Sequence, residues 1–329
     1  MEKIAVIGGG SWATALVKIL SENKSTVNWW LRNPNDVVHL LKYHHNPRYI
    51  SGVNFDLTYV KPTTDLINCL EKVRWVILAV PAAFIQSALA PLPADAFTGK
   101  ILVSAVKGMI PHQNLLITDY LENTFGVPAT HQCIIAGPCH AEEVALEKQS
   151  YLTIGSHDLA HAEEFCGLLR NRYVKASPLD DLDGIEYAAI MKNIIALACG
   201  IAHGLGYGDN FQAVMVSNAM QEIGRFLHAV MPVNRDLNGS AYLGDLLVTA
   251  YSQFSRNRTF GNMIGRGYTV KSAQFEMNMV AEGYYAVESI YALNQKLKIS
   301  MPITEAVHRI LYEKVAPTVE IQILKEKFR

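Results

Sequence analysis

Short, nearly continuous apolar runs punctuate the first half of the chain, over residues 3–7, 26–31, 75–80, 101–105 and 133–136, each ending at or near a glycine, a proline or a charged residue. Runs of this length without polar alternation predict strands buried on both faces. The stretches between them carry helical periodicity. Strands separated by helices predict a doubly wound parallel sheet, extended here by weaker strands near 152–154 and 173–175. From about Asp180 the pattern changes to long helical stretches without convincing strands, jointed at the glycine-rich segments 204–208 and 261–267. The expected fold is therefore α/β: an N-terminal doubly wound parallel sheet over residues 1–185, then an all-α domain over residues 186–329.

Composition narrows the class of protein. Half of the 329 residues are hydrophobic and 18% are charged, with a net charge of -1. Such a chain can fill a sizeable core, which excludes intrinsic disorder, and its length suits two domains. The balanced charge leaves no global positive field, so nucleic acid is not an expected partner. Any anion must be held by local charges. Cys69, Cys133, Cys139, Cys166 and Cys199 form no C-x-x-C pair, which argues against a disulfide framework and against a metal site. The start, Met1-Glu2-Lys3 running into a strand, lacks the pattern of a secretory signal. The stretch 187–202 comes nearest to a membrane span but contains polar side chains. A cytoplasmic chain without membrane insertion is the expectation.

Directly after the first run stands Gly8-Gly9-Gly10-Ser11-Trp12-Ala13, a G-x-G-x-x-A turn, followed by a helical run over 14–20. In a dinucleotide-binding fold the first glycine allows the tight turn, the second lets backbone approach a pyrophosphate, and the small third residue packs helix on strand. The phosphates would sit at the helix N-terminus. A bare turn of this kind also fits a loose glycine-rich loop; the order strand, turn, helix, strand favours a nucleotide. An NAD-selective site carries an acidic residue at the end of the second strand, whereas this chain has Arg32. A guanidinium there can grip a 2′-phosphate, so NADP(H), alone or alongside NAD(H), is the expected cofactor; an ordinary surface arginine is the alternative. Ligands of open α/β sheets bind beyond the strands' carboxyl ends. That rule singles out Pro81, Lys107 and the segment Gly137-Pro138-Cys139-His140-Ala141-Glu142-Glu143.

Between Glu186 and His203 the strongly polar side chains are Lys192 and Asn193. A helix apolar all round is a buried helix, and a buried ammonium loses hydration, which draws its pKa toward the range of proton exchange. Helical spacing places Cys199 and His203 on the face of Lys192, and Gly200 and Gly204 would let another helix pack closely. A lysine snorkelling to the surface is the competing reading. Further on, Asp245 follows Gly244, and Ser255-Arg256-Asn257-Arg258 bunches donors suited to a phosphate or carboxylate, or to surface ion pairs.

Taken in order, these segments, with Ala79-Val80-Pro81, Met191-Lys192-Asn193, Gly204-Leu205-Gly206-Tyr207-Gly208-Asp209-Asn210, Leu243-Gly244-Asp245-Leu246 and Val280-Ala281-Glu282-Gly283, resemble the NAD(P)-dependent glycerol-3-phosphate dehydrogenase family over nearly the full length. The resemblance implies a Rossmann domain, a helical domain and interconversion of dihydroxyacetone phosphate and sn-glycerol 3-phosphate, which would supply phospholipid synthesis. It implies Lys192 as proton donor and acceptor, Lys192 and Asn193 among the substrate-binding residues, Lys107 and Asp245 positioning the substrate, and Ser255, Arg256 and Asn257 holding its phosphate. Gly137 and Cys139 would line the substrate. Cofactor contacts would come from Gly8, Gly10, Ser11, Trp12, Arg32, Pro81, Lys107, Ala141, Arg256, Val280 and Glu282. The chain departs from the family at Cys139, where Ser or Thr is usual, at His203, at Tyr242 and over Ser217-Asn218-Ala219. These departures touch affinity or regulation more than reaction class. A related dehydrogenase of a 3-hydroxy acid or sugar acid is the rival enzyme, with Arg256 on a carboxylate; a non-catalytic NADPH-binding protein is the rival from another class. So apolar a helical half also suits a homodimer.

Overall fold

The computed structural model describes residues 3–277 and 281–328. Its contacts group into two units. The first takes in the chain as far as Val106 and then Ile117–Asp183; the second takes in Lys107–Leu116 and the chain from Gly184 onward. The hydropathy pattern divides the chain at 185 and misses the excursion at 107–116, where one β-bridge, Ile110 to Leu115, closes a short loop.

In the first unit a single sheet contains β1 (Lys3–Ile7), β2 (Thr26–Trp30), β3 (Val60–Thr63), β4 (Trp75–Leu78), β5 (Ile101–Ser104), β6 (Gln132–Ala136), β7 (Ser150–Gly155) and β8 (Val174–Leu179), in the order β3-β2-β1-β4-β5-β6-β7-β8. Helices α1 (Ser11–Glu22), α2 (Pro34–Tyr43), α3 (Leu66–Cys69), α4 (Ala82–Leu89), α5 (Ile117–Phe125), α6 (Ala141–Ala145) and α7 (Leu159–Leu169) connect the strands. The central strands are buried at nearly every position, as sequences without alternation require. Trp29, Trp75, Leu16, Leu20 and Phe165 anchor the core of this unit.

Two features differ from the sequence expectation. Strand β3 was not legible, because it has four residues and contains Pro62; a proline that cannot donate to a ladder is tolerated at this edge of the sheet. The sheet is also mostly rather than wholly parallel. β7 runs antiparallel to β6, with Ile135 opposite Ile154. The connection between them holds only the five-residue α6, too little helix for the crossover that parallel neighbours need, so the chain re-enters from the end it left.

The second unit contains α8 (Leu182–Gly204), α9 (Asp209–Val230), a π-helical turn over Ser240–Gly244, α10 (Asp245–Tyr251), α11 (Arg256–Gly265), α12 (Val270–Glu276), α13 (Glu282–Leu297), α14 (Pro302–Leu311) and α15 (Pro317–Lys327). Helix α8 is long and apolar enough to cross a membrane, but 94% of its most apolar window is buried inside the fold, so it serves as a core helix. Glycine pairs let α11 lie backbone to backbone against it. A Cβ at Gly200 would overlap the Arg258 carbonyl and one at Gly204 the Asn262 carbonyl; on the other side Gly261 abuts Leu197 and Gly265 abuts Ile201. This seam fixes Lys192 on α8 relative to Arg256 at the start of α11.

Candidate active site

The order of the sheet reverses between β1 and β4, and at that switch point the strands' carboxyl ends form the usual ligand crevice of an open α/β sheet. Gly8 ends β1 with φ +135°, and a Cβ there would overlap the Ala79 carbonyl just before Pro81. Only glycine satisfies both constraints. The Gly8 N–H donates to the Trp30 carbonyl (3.1 Å), and the Trp29 indole N–H donates to the Gly8 carbonyl (2.6 Å). Gly10 caps α1 in an extended conformation without a side-chain hydrogen bond, and no atom lies within 4 Å of where its Cβ would be. Ala13 is fully buried against the sheet. Beside this open turn the indole Nε1 of Trp12 is buried without a partner. An uncapped helix N-terminus, a clear approach to backbone and an unpaired donor fit a dinucleotide pyrophosphate and its ribose.

Arg32 follows β2, is solvent-exposed, and pairs with no carboxylate among the described residues. Asn33 caps α2 by accepting from the Asn35 N–H (3.0 Å). Ser11 is buried in the first turn of α1, Pro81 leads into α4, and Ala141 is the buried first residue of α6. Gly137 has φ +108°, and a Cβ there would lie 2.6 Å from the Tyr151 carbonyl. Its glycine is thus explained by backbone packing; Cys139 nearby is half-buried.

In the second unit Lys192 is 4% exposed and donates to the carboxylate of Asp245, itself 2% exposed. The Lys107 ammonium lies 3.9 Å from the other carboxylate oxygen. Asp245 is delivered by the π-helical turn that runs into α10, a local irregularity frequent at functional sites. Burial pulls the Lys192 pKa below the ordinary lysine range; Asp245 opposes that and the charge of Lys107 adds to it. Asn193 donates to the Lys107 carbonyl (3.0 Å), tying the 107–116 loop to α8. Gly283 presses against the Asn193 carbonyl and donates to the Asn257 side-chain oxygen (2.9 Å). Ser255 is the N-cap of α11, accepting from the Arg258 N–H (3.3 Å), and Arg256 is the half-buried first residue of that helix. Glu282 opens α13, while Val280 lies outside the described residues.

The expectation for Cys199 and His203 needs correction. Cys199 is fully buried with its thiol 3.7 Å from the Met215 sulfur, and His203 in the last turn of α8 is exposed. The bend of partners around Lys192 comes from Asp245 and Lys107, not from its own helix. A second buried lysine, Lys18, sharpens the contrast. It is 6% exposed and bonds to Glu22, to Glu147 (3.2 Å) and to the Tyr173 hydroxyl (3.2 Å). Burial there is outweighed by Glu22 and Tyr173, which hold the ammonium above its usual value. Lys18 is a charge locked in place; among the described residues Lys192 has one carboxylate partner, which it shares with another cation.

A dinucleotide turn at the switch point of a Rossmann-type sheet, joined to a helical unit with a buried lysine and aspartate, defines a nicotinamide-linked dehydrogenase. Sequence models narrow the class: one described as the N-terminus of NAD-dependent glycerol-3-phosphate dehydrogenase matches residues 3–162, and one described as its C-terminus matches residues 181–322. The glycerol-3-phosphate dehydrogenase [NAD(P)+] of Clostridium botulinum is 34% identical over 329 residues, covering 99% of this chain and 98% of its own. That of Bacillus subtilis is 33% identical over 330 residues, covering 99% and 95%. The crystal structure of glycerol-3-phosphate dehydrogenase from Coxiella burnetii superposes with a TM-score of 0.91 at 31% identity, covering 99% of both chains. The chain belongs to the NAD-dependent glycerol-3-phosphate dehydrogenase family.

Proposed function

We propose that this chain interconverts dihydroxyacetone phosphate and sn-glycerol 3-phosphate, using NADP(H) or NAD(H). The observation that carries the reading is the cluster of buried Lys192 and Asp245 with the partly exposed Lys107 in a member of this family. Bound reduced dinucleotide supplies the hydride that the ketone carbon receives. The turn from Gly8 to Ala13 would hold its pyrophosphate, and Arg32 a 2′-phosphate.

As the ketone is reduced, negative charge grows on its C2 oxygen. Lys192 donates a proton to that oxygen, and in the oxidation its neutral amine takes the proton back. The lowered pKa of this buried lysine eases both steps. Lys107 adds positive charge for the developing alkoxide, and Asp245 holds both ammonium groups in register. The substrate phosphate is assigned to the N-terminus of α11, with Ser255, Arg256 and the amide nitrogen of Asn257 as donors, since the Asn257 oxygen is taken by Gly283. We place this activity in the cytoplasm, supplying sn-glycerol 3-phosphate for phospholipid synthesis, in a homodimer whose mass sedimentation would read.

Absorbance of the reduced nicotinamide tests the reading with dihydroxyacetone phosphate beside the keto acids that a dehydrogenase of 3-hydroxy or sugar acids would reduce. Oxidation of the dinucleotide is expected with the phosphorylated ketone only. Lys192→Met should lower kcat by about 10²–10⁴ while the dinucleotide still binds; turnover like that of the wild type would overturn the assignment.

A further inference from the structure

A side chain absent from every motif above governs the dinucleotide turn. Asn46 follows α2 in a loop without hydrophobic pattern, yet it is 1% exposed. Its amide nitrogen donates to the Gly9 carbonyl (3.1 Å) and to Thr14 Oγ1 (2.9 Å). Its amide oxygen accepts from the N–H groups of Arg48 (2.9 Å) and Tyr49 (3.2 Å). Two donors and two acceptor bonds exhaust what a carboxamide can make. Thr14, which receives one of these bonds, passes its own hydroxyl proton to the Gly10 carbonyl (2.9 Å).

The Gly9 carbonyl is thus held by Asn46, and the Gly10 carbonyl by Thr14 twice over, through its hydroxyl (2.9 Å) and through its backbone N–H (2.9 Å). A trans peptide is planar, so its N–H points opposite to its C=O. Turning the Gly9 carbonyl toward Asn46 aims the Gly10 N–H away from it, and holding the Gly10 carbonyl on Thr14 aims the Ser11 N–H out of the helix end. Gly9 and Gly10 are glycines, and without the bond from Asn46 the peptide that joins them would rotate at little cost.

We infer that Asn46 is a positioning residue for the dinucleotide: through Gly9 and Thr14 it sets the peptide planes whose N–H groups meet the pyrophosphate. The inference rests on the nucleotide reading given under Proposed function. Aspartate is the informative replacement, because it keeps both acceptor bonds to Arg48 and Tyr49, has the same shape, and cannot donate to Gly9 or Thr14.

The test is direct binding of NADPH and NADH, followed by quenching of tryptophan fluorescence, to the wild type, Asn46→Asp, Asn46→Ala and a control, Asn28→Ala. The control removes a different internal hydrogen bond of the same unit, from Asn28 to the Cys69 carbonyl (3.0 Å). Asn46→Asp is expected to weaken both dinucleotides about tenfold or more, since a hydrogen bond to a charged group is lost or misaimed. Its KM for dihydroxyacetone phosphate and its kcat at saturating dinucleotide should stay within about twofold of wild type. Asn46→Ala should weaken binding at least as much, and Asn28→Ala should lower thermal stability with little change in binding. Unchanged affinity in folded Asn46→Asp would overturn the inference alone, as would an equal loss in Asn28→Ala. A wild-type chain that binds neither dinucleotide would overturn the nucleotide reading and this inference with it.

Discussion

Replacing Asp245 by Asn isolates the electrostatics of the proton-transfer cluster. The amide matches the carboxylate in shape and can still accept from Lys192, so the perturbation is the loss of one negative charge. Two ammonium groups then face each other without a counter-ion. For the direct contact of Lys192 with Asp245, a unit charge pair about 4 Å apart or closer is worth about 4 kcal/mol at an effective dielectric of about 20, or roughly three pKa units. Lys107 is 20% exposed, so solvent and a swing of its side chain absorb part of this. A fall of at least about one unit in the Lys192 pKa remains the expectation. The sign follows from the role proposed for Lys192, in which reduction needs the ammonium and oxidation needs the amine. The alkaline limb of the kcat profile for ketone reduction should therefore move to lower pH, and the acid limb for oxidation should move the same way. At neutral pH, reduction should slow by about 10²-fold or more. The assay is kcat against pH in both directions at saturating dinucleotide. Limbs that do not move, with near-normal kcat, would refute the claim that Asp245 sets the proton affinity of Lys192.

Arg32→Asp should shift preference from NADPH toward NADH by about tenfold or more, read from KM ratios, because a carboxylate repels a 2′-phosphate and accepts from a ribose hydroxyl. Gly261→Ala puts a methyl into the Leu197 carbonyl; the clash exceeds the helix propensity that alanine adds, so urea unfolding should show a loss of at least about 2 kcal/mol. Glu222→Ala should cost about 2–4 kcal/mol. It strands the N–H groups of Ile303 and Thr304, which donate to the Glu222 carboxylate at 2.8 and 2.9 Å. Burial pushes the Glu222 carboxyl up to about 7, above its unfolded value. Its titration therefore adds stability that is fully present below the unfolded pKa and lost as pH rises through about 7. The stability of wild type relative to Glu222→Gln, which does not titrate, should accordingly fall between about pH 5 and pH 8.

The strands were legible where burial on both faces leaves unbroken apolar runs, as in Trp75–Leu78 and Gln132–Ala136. They were not legible where an edge tolerates polar residues and a proline, as at Val60–Thr63. Gly8 stood out in the sequence because it answers a local backbone demand, a positive φ beside the Ala79 carbonyl. Asn46 announced nothing, since its partners Gly9 and Thr14 lie 37 and 32 residues away. Ser255 and Asn257 drew notice as phosphate donors, yet the structure also commits them to capping α11 and to holding Gly283.

What the sequence by itself determined is local: the period of each element, the glycine turn, and the burial of a lysine set in sixteen nearly apolar residues over 187–202. Tertiary structure alone decided what surrounds each buried lysine. Lys18 draws Glu22, Glu147 and Tyr173 around it and becomes a fixed charge, whereas Lys192 meets one aspartate 53 residues away that it shares with Lys107. Helix α14 likewise gets no side-chain cap from Met301, which precedes it, and is capped by Glu222 from α9. The reason is the same in each case. Propensity and periodicity act over a few residues and are written in the chain, whereas proton affinity and the satisfaction of buried donors depend on which distant groups packing brings within hydrogen-bond reach.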